Sequence, residues 1–83
     1  MSQTLGPDES FDLFRQCAVE VLQVDPAKIV PSARFAEDLN ADSLDIVELV
    51  MLLEEKFGIK VPESDLDGVQ TVGQAYELVT SKL

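Results

Sequence analysis

Apolar residues in this chain recur with helical period in three stretches, and the segments between them show no sustained period. Laid out at 100° per residue, Phe11, Phe14, Ala18 and Val21 fall on one side, flanked by Cys17 and Leu22. That stripe predicts a first helix from about Ser10 to Val24. Asp8 is its expected N-cap, Glu9 and Asp12 place negative charge in its first turn, and Asp25-Pro26 stops it. Residues 1–7 read as a flexible lead-in ending at Pro7. The second helix is predicted from Ser43 to about Lys56, with Asp42 as N-cap and Asp45 completing a capping box. No proline or glycine interrupts it before Gly58, which gives about four turns and a length of roughly 20 Å. Thr71 and Gln74 form another capping box and open a last helix, about Val72 to Lys82, with Val72, Ala75, Tyr76 and Val79 inward.

The connections are unequal. Glu63 to Gly68 reads as one short helical turn ended by glycine. From Asp25 to Asp42 no period holds, although Asp25 to Ile29 suits a single helical turn. Ile29, Val30, Phe35 and Leu39 are apolar anchors along it, so an ordered crossover is expected. The fold class that follows is all-α. Three longer helices and one short one make a small four-helix bundle, with a long crossover loop between helices one and two, in a single domain over 1–83.

Helix two carries a second pattern. Ile46, Leu49, Val50, Leu53 and Phe57 occupy an arc of roughly 100°, an ordinary buried stripe. The other arc holds Ser43, Leu44, Val47, Glu48, Met51, Glu54 and Glu55. Three apolar side chains there share a surface with three glutamates, and a solvated face has little use for the apolar three. An apolar patch rimmed by one sign of charge suits docking of a basic partner. Burial of both arcs by a wide helix is the competing reading.

Charge and composition narrow the function. The chain has 83 residues, 16 acidic and 6 basic, for a net charge of −10. That argues against nucleic acid and anionic membrane as partners, since both need a basic surface. With no histidine and one cysteine, neither a Ser–His pair nor a disulfide within the chain can form, and a zinc site is hard to build. Cys17 reads as a small buried hydrophobe. No apolar run is long enough to span a bilayer and no signal peptide is evident, so a cytoplasmic protein is expected. Ser43 sits at a helix N-terminus, where N–H groups and the dipole favour a phosphate ester on its oxygen. Plain capping explains most serines in such places. If this one carries chemistry, it is a site that another enzyme modifies.

Beyond these patterns the chain resembles the acyl carrier proteins, specifically the freestanding ones of type II fatty acid or polyketide synthases. The resemblance is carried by Phe35-Ala36-Glu37-Asp38-Leu39-Asn40-Ala41-Asp42-Ser43-Leu44-Asp45 and the run Ile46-Val47-Glu48-Leu49-Val50-Met51. It continues through Leu53-Glu54-Glu55-Lys56-Phe57, Val61-Pro62 and Thr71-Val72. Asp-Ser-Leu alone is weak, whereas its extension through helix two to the last helix is specific. The resemblance implies that Ser43, between Asp42 and Leu44, carries a covalent 4′-phosphopantetheine delivered from coenzyme A by a phosphopantetheinyl transferase. Acyl groups would ride on its thiol as thioesters. It further implies that Asp42, Asp45, Glu48, Glu54 and Glu55, beside Leu44, Val47 and Met51, meet basic patches on partners such as acyltransferase and ketosynthase-type enzymes. Many members have glycine where this chain has Asn40. Asparagine tolerates the left-handed conformation that glycine would adopt.

On that reading the protein is a monomeric tether and not itself an enzyme, with no catalytic residues. An acyl chain would fold back among Leu53, Val61, Leu66, Val69, Ala75 and Tyr76. Each buried methylene would contribute about 0.8 kcal/mol. A peptidyl or aminoacyl carrier of nonribosomal synthesis and a non-carrier acidic interaction module are the alternatives. The acidic second helix favours the acyl class.

Overall fold

A computed structural model describes residues 7–83. Among these residues the chain forms three α-helices, α1 (Pro7–Leu22), α2 (Ser43–Phe57) and α3 (Val72–Ser81). Two short 3₁₀ turns, Pro26–Lys28 and Glu63–Leu66, lie in the connections. The all-helical class stands. The short fourth helix of the expected bundle is a single 3₁₀ turn of four residues.

Helix α1 begins earlier and ends earlier than its pattern predicts. The lead-in expected at residues 1–7 lies outside the described residues except for Pro7, which is the first residue of α1. Proline is tolerated in a helix's first turn because its missing N–H has no intrahelical role there. Asp8 therefore lies within the helix and does not precede it. At the other end Gln23 turns left-handed (φ +55°), and its N–H donates to the Val19 carbonyl at 2.8 Å. That closure stops α1 at Leu22, leaving Val24 outside the helix.

The core forms where the stripes meet. Phe14, Cys17 and Ala18 of α1 are buried with Leu49, Val50 and Leu53 of α2 and with Val72, Ala75 and Val79 of α3. Desolvation raises the Cys17 thiol above its ordinary pKa, opposed by the positive charge of Lys56. Ile29, Phe35 and Leu39 anchor the crossover as expected, together with the small Ala33 and Ala41. Val30, the fourth expected anchor, is 39% exposed.

Backbone hydrogen bonds do the rest of the crossover's anchoring. Arg34 and Thr71 form an isolated antiparallel bridge, and the Phe35 N–H donates to Gln70 at 3.0 Å. The N–H groups of Val72 and Gly73 donate to the carbonyls of Ala33 and Pro31, each at 2.9 Å. These are first-turn donors of α3 that have no acceptor within their own helix. A Cβ on Gly73 would sit 3.0 Å from the Pro31 carbonyl oxygen, so the close approach depends on glycine. No helix among the described residues is long and apolar enough to cross a membrane.

Candidate functional site

The serine's position is set by the turn that precedes it. Arg34 accepts from the N–H groups of Asp38 at 2.8 Å and Leu39 at 3.2 Å. In return its own N–H donates to the Asp38 carboxylate at 2.8 Å. That hydrogen bond, aided by the Arg34 guanidinium, holds the Asp38 carboxyl below its ordinary pKa of 3.8. Its contribution is therefore present above that ordinary value and lost as pH falls through the lowered one. Asn40 then adopts φ +55°, the left-handed conformation expected of it. Ala41 is buried, with its N–H donating to Phe35 at 2.8 Å.

Asp42 and Asp45 cap α2 reciprocally. The Asp45 N–H donates to Asp42 Oδ1 at 2.9 Å, and the Asp42 N–H donates to Asp45 Oδ2 at 3.2 Å. This leaves the N–H groups of Ser43 and Leu44, at the first two helical positions, without an intrahelical acceptor. Ser43 is exposed. A phosphate ester fits there: the hydroxyl is accessible, and the helix end presents donors and partial positive charge.

Below the serine, the two arcs of α2 separate cleanly. Leu44 is 73% exposed, Val47 36% and Met51 62%, with Glu48 and Glu55 exposed among them. Among the described residues, burial of both arcs is thereby ruled out. Glu54 departs from the expected pattern. It is half-buried, and its Oε2 accepts the Val61 N–H at 2.7 Å. Among the described residues no cation pairs with it.

Leu53, Val61, Leu66, Val69 and Ala75 come together around an apolar cavity. Phe35, Ile46, Leu49, Val50, Leu78 and Val79 complete its wall. Its volume is about 10 Å³, near the room that one water molecule's centre requires. Tyr76 takes no part. Its ring packs edge-on against Phe11 at 5.0 Å and Phe14 at 5.8 Å, on the α1 side of α3. The two rings of α1 hold it there, and it does not line the cavity that its neighbour Ala75 lines. The aromatic pair in helix one was the available signal for Tyr76. Nothing local marks Glu54, whose bond spans seven residues.

Comparison with known proteins agrees with this geometry. Residues 12–79 match the family model described as "Phosphopantetheine attachment site". An acyl carrier protein of Thermosynechococcus vestitus is 42% identical over 79 residues, covering 95% of this chain and 98% of its own length. One from Helicobacter hepaticus is 50% identical over 64 residues, 77% of this chain and 84% of its own. A third, from Sulfurovum sp., is 46% identical over 69 residues, 83% of this chain and 92% of its own.

Proposed function

The chain belongs to the acyl carrier proteins, a family that carries covalent 4′-phosphopantetheine and is not catalytic, and from this we propose that Ser43 is the attachment residue. The observation that carries the proposal is Ser43 itself, exposed at the first position of α2. Two unaccepted N–H groups lie beside it. The arm supplies a flexible thiol on which acyl groups are held as thioesters. Asp42 and Asp45 hold the helix end in place by their mutual cap. Leu44 lies next to the arm and first on the exposed face.

The exposed face of α2 is the docking surface. Leu44, Val47 and Met51 supply apolar contact, and Glu48 and Glu55, with Asp42 and Asp45 above them, supply charge. Partners with basic patches fit it: the transferase that loads Ser43, and acyltransferase and ketosynthase-type enzymes of a type II fatty acid or polyketide synthase. Contacts built on exposed charge are weak and salt-sensitive. The cargo's apolar chain enters the cavity beneath Leu53, Val61, Leu66, Val69 and Ala75 by displacing its walls, since the resting volume is far too small. The protein acts as a cytoplasmic monomer, one carrier domain over residues 1–83.

Incubation with coenzyme A and a broad-specificity transferase, followed by intact mass measurement, tests the assignment. The expected result is one added phosphopantetheine on the native chain and none on Ser43→Ala. Addition to both proteins, or to neither with a transferase shown to be competent, rejects Ser43 as the attachment residue.

A further inference from the structure

The cavity and the docking face meet at one carboxylate. Glu54 lies eleven residues, about three turns, below Ser43, so it sits on nearly the same side of α2 and about 16 Å down its axis. It is half-buried at the edge of the exposed strip. Three N–H groups of the segment that follows depend on it. Its backbone carbonyl accepts from Gly58 at 2.9 Å and Ile59 at 3.1 Å, which closes the helix. Its side chain reaches further and accepts from Val61 at 2.7 Å. Val61 is a wall of the apolar cavity, and the 3₁₀ turn after Pro62 carries Leu66, another wall. One carboxylate oxygen is thus committed to the wall, and among the described residues no cation neutralises the group. Lys82 instead pairs with Asp65, within the 3₁₀ turn, at 2.8 Å.

We infer that Glu54 is a latch that couples docking to opening of the cavity: a lysine or arginine of a docked partner competes with the Val61 N–H for its carboxylate and releases the wall. The inference rests on the carrier reading and adds to it how the cargo space is controlled. The competition is physically reasonable. An exposed cation can approach the strip that Glu54 borders, and a charge-assisted contact to a guanidinium is at least as strong as one from a neutral amide. Once the side chain turns outward, the Val61 N–H must open to water, and the segment from Lys60 to Leu66 loses its side-chain hydrogen bond to α2 and is held there by apolar packing alone. In this scheme Glu54 is a positioning residue, since it acts on the cargo only through Val61.

Amide exchange at Val61 in the full, unloaded chain tests the latch, with a hexa-arginine peptide as the partner's surrogate and sodium chloride at equal ionic strength as control. The peptide is expected to speed exchange at Val61 roughly tenfold, the worth of one charge-assisted hydrogen bond. Gly58, bonded to the backbone of Glu54, should stay unchanged, and salt alone should do nothing. Glu54→Gln keeps a side-chain carbonyl for the Val61 N–H but loses the charge that attracts the peptide, so the acceleration should vanish while basal exchange stays close to native. Glu54→Ala should exchange fast at Val61 with or without peptide. In octanoyl-loaded protein, hydroxylamine cleavage of the thioester should quicken with peptide in the native chain and not in Glu54→Gln.

No acceleration in the native chain, equal acceleration in Glu54→Gln, or the same effect from salt each overturns the latch. Loading of Ser43, read by mass on the same samples, separates the two claims. Loaded protein with no peptide effect rejects the latch and leaves the carrier assignment standing. A peptide effect on a protein that cannot be loaded rejects the carrier assignment and, with it, any role for the latch in handling cargo.

Discussion

Leu49 and Met51 stand two residues apart on α2, both large, apolar and unbranched at Cβ, yet Leu49 is 1% exposed and Met51 62%. The helix presents two apolar faces that differ in what lies opposite. Leu49, Val50 and Leu53 meet α1, α3 and the anchored crossover. Leu44 and Met51 stand mostly in water, and Val47 between them is about one-third exposed. Apolar surface left facing water adds little to stability, and on the proposed reading a docking partner covers this second face. The same helix thus carries the fold on one side and the proposed docking surface on the other.

The inward face should yield the largest effect. Leu49→Ala removes a fully buried side chain beside the cavity and is expected to cost about 2–5 kcal/mol, as core truncations of this size do. In a domain of this size that is a large share of total stability. Urea unfolding read by circular dichroism checks it. A loss below about 1 kcal/mol would mean that the cavity lets neighbouring side chains collapse into the space. It would break the contrast with the outer face.

The junction of the two faces comes next. Asp42 caps α2 and adjoins Ser43, so Asp42→Ala should cost about 1 kcal/mol through the lost cap. Asp42→Asn keeps a capping oxygen and should be nearly neutral in stability. If Asp42 also serves docking, loading of Ser43 should slow in both variants. If it serves only the fold, loading should follow stability, slowed in alanine and native-like in asparagine. Loading rates at low salt, set beside denaturant midpoints, distinguish these outcomes.

How much of this was readable in advance follows from the range of the interactions. Both capping boxes were legible, Asp42 with Asp45 and Thr71 with Gln74, because each is closed within four residues. The stop at Gly58 and the left-handed Asn40 were legible for the same reason. The start of α1 is not legible, because Pro7 suits a first turn as well as a lead-in and local pattern does not choose between them. By pattern Tyr76 is inward like Val72, Ala75 and Val79, and only the position of Phe11 and Phe14 decides which inward side it takes. By helical pattern Glu54 is one more docking charge. Its bond to Val61 depends on the chain doubling back after Gly58, which periodicity does not encode. Val30 failed as an anchor for a similar reason. Its neighbours are held by backbone bonds to α3, so its side chain was free to face water.

The smallest effect on stability, and the most telling, belongs to the outer face. Leu44→Ala and Met51→Ala truncate side chains that already stand mostly in water, so each should change unfolding free energy by no more than about 0.5 kcal/mol. Both keep the helix well populated, since alanine is the best helix former. Their effect should emerge only when a partner is present. A contact patch of this kind gains from excluding water around its charged contacts, so loss of Met51 should weaken transferase loading even at low salt. Glu48→Lys should weaken it chiefly at low salt, because exposed charge is screened as ionic strength rises. Measuring loading against salt for the two variants therefore separates the apolar from the electrostatic share of docking. If Met51→Ala loads like the native protein at every salt concentration while Glu48→Lys does not, recognition rests on charge alone, and the apolar outer face would need another explanation.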